Sequence, residues 1–115
     1  MIPQFLVMKK DLVLSFNETT WELKFTETEQ KVFEHGYPLE TETRMYDVYD
    51  VYLNGKIYKK IKVKFFEVDT HDFTNVHIYK NDEYVGNTFY KGVNVNLEEI
   101  VDIIKWIKWY GENNF

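Results

Sequence analysis

Between Leu97 and Tyr110 the apolar residues Leu97, Ile100, Val101, Ile103, Ile104 and Ile107 recur with helical spacing. At about 100° per residue they fall on one arc of an α-helix, the stripe such a helix lays against a core. Asn96 stands where it caps the first turn, Glu99 completes a capping box, Glu98 and Glu99 suit the positive end, and Gly111 marks the exit. Trp106 and Trp109 break the pattern. With Asp102 they project from roughly the opposite face, where an isolated domain places charges. Two indoles there need a cover, either a partner or a second layer or N-terminal arm of the same chain.

Upstream, the period shortens to two and predicts three hairpins. A loop centred on Glu18 and Thr19 sets Phe16 opposite Trp21, Leu14 opposite Leu23 and Leu12 opposite Phe25, so every large apolar residue shares one face. Asn54-Gly55 is a type I′ turn signal. It pairs Tyr52 with Ile57, Val48 with Ile61 and Tyr46 with Val63 on a core face, and Asp47 with Lys62 and Tyr49 with Lys60 on a charged face. One pair is out of place: Asp50 meets Lys59 on the apolar side, either at the sheet rim or as a partly buried ion pair. A turn at Asn81-Asp82 sets Ile78 against Val85 and Thr74 against Phe89 inside, and Tyr79 against Tyr84 and His77 against Gly86 outside. Thr26 to Thr43 is open to two readings, a short helix from Thr26 and Glu29 to Gly36 or a strand through Val32, Phe33 and Tyr37. The expectation is one α+β domain over residues 1–115, a twisted antiparallel meander of about six strands packed by one C-terminal α-helix.

Composition narrows the class. At 115 residues the chain buries one core. Nine Phe and nine Tyr make it too apolar for disorder, and the absence of cysteine excludes disulfides, thiolate catalysis and Cys-ligated metals. No alanine, one arginine and one serine beside abundant Lys, Asn, Ile, Tyr, Phe and Glu is the usage of A/T-rich codons, pointing to a low-GC bacterium or a phage or mobile element within one. Met1 to Met8 is too short for a signal segment and its lysines follow it, and no run reaches membrane-spanning length, so a cytoplasmic protein is expected.

The net charge of −5 hides a bipolar chain. Residues 17–43 carry seven glutamates, among them Glu27, Glu29, Glu34, Glu40 and Glu42, against Lys24 and Lys31, whereas Lys56 to Lys64 holds five lysines and no acid. The glutamates read as a solvated face or as an acidic surface steering a basic partner. Alternation puts Lys60, Lys62 and Lys64 with Lys56 and Tyr58 beside Tyr49 and Met45, a basic and aromatic surface of the kind that holds single-stranded nucleic acid. Lysines also protect sheets from aggregation, and an acidic chain with one arginine is a poor nucleic-acid binder.

Catalytic chemistry is thinly signalled. His35, His71 and His77 are the imidazoles, and Glu67, Asp69, His71 and Asp72 share one loop, but their spacing matches no metal motif and reads as turn chemistry. There is no phosphate loop and no nucleophile elbow. The expectation is a non-enzymatic protein-binding module, without cofactor or metal, acting by occlusion as immunity proteins and phage-encoded inhibitors do. Trp106 and Trp109 are its anchors and Asp102, Glu27, Glu29, Glu34, Glu40 and Glu42 its charged surround. A homodimer through the same helix face is a variant of this reading, and a nucleic-acid binder using Tyr49, Tyr58, Lys60, Lys62 and Lys64 is the alternative.

Overall fold

Six strands follow one another as neighbours, and the reversals at Asn17-Glu18, Asn54-Gly55 and Asn81-Asp82 are short turns with left-handed backbone. The computed structural model describes residues 4–5, 11–36, 40–68, 73–91 and 95–113. Strands β2 (Leu12–Phe16), β3 (Thr19–His35), β4 (Glu40–Leu53), β5 (Lys56–Val68), β6 (Phe73–Lys80) and β7 (Glu83–Lys91) form one antiparallel sheet in sequence order. Helix α1 (Leu97–Glu112) packs on one face, and a small pair, β1 (Gln4–Phe5) with β8 (Val95–Asn96), precedes it in space. This is the expected α+β meander with a single C-terminal helix. The stretch Thr26 to Thr43 is strand through His35 and again from Glu40, with Gly36 in a left-handed turn, and beyond Asp47 the β3–β4 ladder runs on as a two-stranded ribbon.

Register departs from the sequence reading in all three hairpins. The first turns at Asn17-Glu18, both left-handed, and pairs Leu14 with Trp21 and Leu12 with Leu23, two residues away from the expected match. The even offset leaves each side chain on its expected face. Around Asn54-Gly55 the pairing of Tyr52 with Ile57 is as expected, but β5 then inserts a bulge with Lys59 and Lys60 both left-handed, φ 50° and 53°. Beyond it Asp50 faces Lys62, Tyr49 faces Val63 and Val48 faces Lys64. An odd shift of three residues exchanges faces: Tyr49 turns into the core with Val63, and Tyr46 and Val48 turn to the other side with Lys64. Left-handed backbone costs a non-glycine residue about 1–2 kcal/mol, which is offset by full burial of Tyr49 against Phe65; Asp50 Oδ1 stays buried without a hydrogen-bond partner. The third hairpin keeps Tyr79 opposite Tyr84, then a bulge at Val85 puts Gly86 opposite Ile78, Asn87 opposite His77 and Tyr90 opposite Thr74.

The sheet is buried on both faces. Toward α1, Trp21, Leu23, Tyr49, Val51, Ile61, Val63, Phe65, Val76 and Ile78 close over Ile100, Ile103, Ile104 and Ile107. Each isoleucine withdrawn from water contributes about 2 kcal/mol. On the far face a separate cluster of Tyr46, Val48 and Phe66 is buried under charged side chains.

The helix is fastened at both ends. Glu99 N–H donates to Asn96 Oδ1 at 2.9 Å and Asn96 N–H to Glu99 Oε1 at 3.0 Å, the expected capping box. At the other end Lys80 Nζ reaches the carbonyls of Tyr110, Gly111 and Asn113 at 3.2–3.3 Å, supplying the positive charge that the last turn itself lacks. Gly111 is not the exit residue but a buried helical position, and the Tyr58 ring occupies the space a Cβ would take. Alanine there improves helix propensity by about 1 kcal/mol but forces the ring aside, at about 1–3 kcal/mol. Gly111→Ala is therefore expected to lower the urea-unfolding free energy by about 1 kcal/mol, whereas Gly111→Ala combined with Tyr58→Leu should recover part of the loss.

Candidate functional site

Two surfaces collect the residues singled out in the sequence, and they lie on opposite sides of the sheet. The first is the outer face of α1. Trp106 and Trp109 are 42% and 47% exposed, on a helix whose inward isoleucines are shut off from solvent. They are not loose: each ring meets the other edge-on at 6.3 Å between centroids, Trp109 meets Tyr110 at 5.0 Å, and Tyr110 is partly buried with its hydroxyl in the space left by Gly86. A glycine in β7 thus lets the aromatic ridge of the helix settle on the strand. Asn113 adds a side-chain bond to the Trp109 carbonyl at 2.7 Å. Leu97, assigned to the inward stripe by its period, is exposed at the first helical position.

Asp102 does not join the outward set. It accepts a 2.6 Å hydrogen bond from the Tyr90 hydroxyl of β7, which ties this flank of the helix to the sheet. Burial and the Asp102 carboxylate both push the Tyr90 phenol well above its ordinary range. The carboxylate is thereby a fastening of the fold.

The second surface is the face of the sheet turned away from α1. Glu29 bridges Lys64 at 3.2 Å and Lys31 at 3.3 Å. Burial raises the Glu29 carboxyl, but hydrogen bonds and charge from Lys64 and Lys31 together outweigh it and hold the group below its usual value. Glu42 accepts from Arg44 at 2.9 Å, and Lys62 lies 4.0 Å from Asp82. Glu27, Glu29, Val48, Lys62, Lys64, Tyr79 and Asp82 line a shallow cleft of about 220 Å³. Cations lie over rings across this face: Lys24 over Tyr52 at 4.4 Å, Lys64 over Tyr79 at 4.6 Å, Arg44 over Phe33 at 4.8 Å and Lys31 over Tyr46 at 5.5 Å. Glu34 and Glu40 stand exposed near the end of the β3–β4 ribbon. The glutamates therefore do not encircle the indoles, and Glu29 and Glu42 are already paired.

The expected basic and aromatic nucleic-acid surface is not assembled. Tyr49 is fully buried and Tyr58 is 9% exposed, because α1 packs on the face that carries both. Of the three lysines, Lys64 is drawn in by Glu29 and Lys62 approaches Asp82, leaving Lys60 exposed on the bulge. Phosphates would have to displace carboxylates to reach Lys62 and Lys64.

Among the described residues no three His, Asp or Glu side chains converge as metal ligands. Asp69, His71 and Asp72 lie outside the described residues, as do the side chains of His35 and Glu67. His77 sits edge-on to Phe66 at 4.7 Å and Tyr84 at 5.3 Å. Burial, then the charges of Arg44, Lys64 and Lys31, push its imidazole below the usual value. No described helix is long and apolar enough to cross a membrane. No known protein family, curated protein or solved structure matches the chain.

The His77 environment sets a direction for acid stability. The folded state resists protonation, so the unfolded chain binds the proton more readily once pH falls through its ordinary value near 6.5. The contribution is full above that pH and is lost as pH falls toward the depressed folded value. Unfolding free energy measured between about pH 7.5 and 5 is expected to decline, and His77→Gln should flatten that decline while leaving the steeper loss below the carboxylate range, to which Glu29 contributes.

Proposed function

We propose that this chain is a non-enzymatic protein-binding module that works by occlusion, docking a partner on the outer face of α1 with Trp106 and Trp109 as its anchors. The observation that carries the reading is their exposure: two indoles stay about half in water on a helix that had an apolar core available on its other side. Rings fixed by Tyr110 and by a helix fastened to β7 lose little side-chain freedom on binding, which is the economy that makes aromatic anchors effective. A small, acidic, cysteine-free domain from a low-GC genome suits an immunity-type or phage-encoded inhibitor in the cytoplasm, and the residue usage supports that narrower reading.

The test is the pair Trp106→Ser with Trp109→Ser. Because both rings are nearly half exposed, thermal and urea unfolding should show a loss of no more than about 1–2 kcal/mol. A protein captured by the wild type from lysate of a low-GC bacterium should bind the double variant more weakly by roughly 2–4 kcal/mol. Sedimentation equilibrium separates a second copy of this chain from a foreign partner at the same face. Collapse of the fold in the double variant would assign both rings to the core and overturn the reading.

A further inference from the structure

We infer that the partner surface that seats against α1 is acidic. This rests on the reading of the outer face of α1 as the docking surface, and it reverses the basic partner that the glutamate-rich stretch suggests.

The argument is where the structure leaves charge unspent. On the face away from α1, Lys24, Lys31, Lys62, Lys64 and Arg44 each have a carboxylate within 4.0 Å. On the α1 side the situation is the opposite. Lys105 and Lys108 are exposed and have no ion-pair partner among the described residues. Lys105 stands four residues before Trp109 and three before Lys108, the spacings that bring side chains together on a helix, so it links the second lysine to the indole. Lys56, Lys59 and Lys60 of β5 are also exposed and unpaired among the described residues. Tyr58, between them, fixes their place: its hydroxyl donates to the Lys108 carbonyl at 3.5 Å and its ring rests on Gly111. Through Tyr58 this stretch of β5 meets the C-terminal half of the helix on the flank that carries Lys108.

The acids nearby offset this patch only in part. Asp102 is engaged by Tyr90, Asp82 approaches Lys62, and Glu98 lies about two turns away from Lys105, roughly 10 Å along the axis. Glu112, close enough to act on Tyr58, is the acid that faces the lysines directly. Indole anchors with an unpaired basic rim complement a protein surface of carboxylates with an apolar centre. Lysines at the rim act mainly on encounter and orientation, so the association is expected to weaken with salt.

The probe is a fluorescein-labelled random copolymer of glutamate and tyrosine, titrated with the full chain and read by anisotropy at about 20 mM and about 200 mM salt. Saturable binding at low salt is expected, weakened about tenfold or more by Lys105→Glu with Lys108→Glu and by Lys59→Glu with Lys60→Glu. Glu34→Lys with Glu40→Lys, on the ribbon, should leave it unchanged, and far-UV circular dichroism checks that every variant is folded. Binding lost on Trp109→Ser but indifferent to the lysine reversals would overturn the acidic partner while leaving the indole face standing. Binding indifferent to both sets would overturn both readings. No binding to the copolymer, preference for labelled poly-lysine, or tighter binding to phosphatidylserine vesicles or single-stranded DNA than to the copolymer would also overturn the inference.

Discussion

The three residues by which β5 outruns β4 decide which side chains this protein buries and which it shows. In an ideal ladder from Asn54-Gly55, Asp50 and Lys59 would oppose each other on the apolar side and Tyr49 would stand among lysines. The bulge at Lys59 and Lys60 moves Asp50 opposite Lys62 and Tyr49 opposite Val63, which buries the Tyr49 ring fully but still leaves Asp50 Oδ1 buried without a hydrogen-bond partner. Two left-handed lysines are offset by the aromatic core residue that would otherwise be stranded on the charged face. Because the shift is odd, the change propagates through the pairing of both strands beyond the bulge.

One consequence is a sheet with two interiors of different kinds. Toward α1 the packing is aliphatic and aromatic, with ring pairs such as Tyr49 with Phe65 at 5.3 Å and Trp21 with Tyr58 at 4.9 Å. On the other face Tyr46 and Phe66, 4.7 Å apart, are roofed by cations that are themselves neutralised by glutamates. Individually such exposed pairs are worth little, but over a shared aromatic floor they hide apolar area while keeping charged groups in water. This face spends its charge internally.

The helix is the complement. Its isoleucines, capping box, Tyr90–Asp102 bond, Lys80 clasp and the Gly111 notch for Tyr58 hold it at its inner face, both ends and both flanks. A helix fixed in so many ways presents Trp106 and Trp109 in one geometry, and preorganised anchors lose less on association than mobile ones. Rigidity of the scaffold and exposure of the rings are therefore two results of one set of contacts.

What the sequence determined by itself was local and periodic. Helix α1, its Asn96–Glu99 cap, the inward isoleucines, the outward indoles, the turns at Asn54-Gly55 and Asn81-Asp82 and the meander of hairpins all follow from spacing within a few residues, where backbone sterics and side-chain period act directly. Face assignment in β4 and β5, the ties of Asp102 to Tyr90 and of Lys80 to the end of the helix, and the pairing of Glu29 with Lys64 were decided by tertiary structure. Each depends on a bulge or on an approach between residues distant in the chain, and a single odd insertion reverses every side chain beyond it. A linear pattern records which residues alternate, but only the folded sheet fixes which alternate set meets the helix.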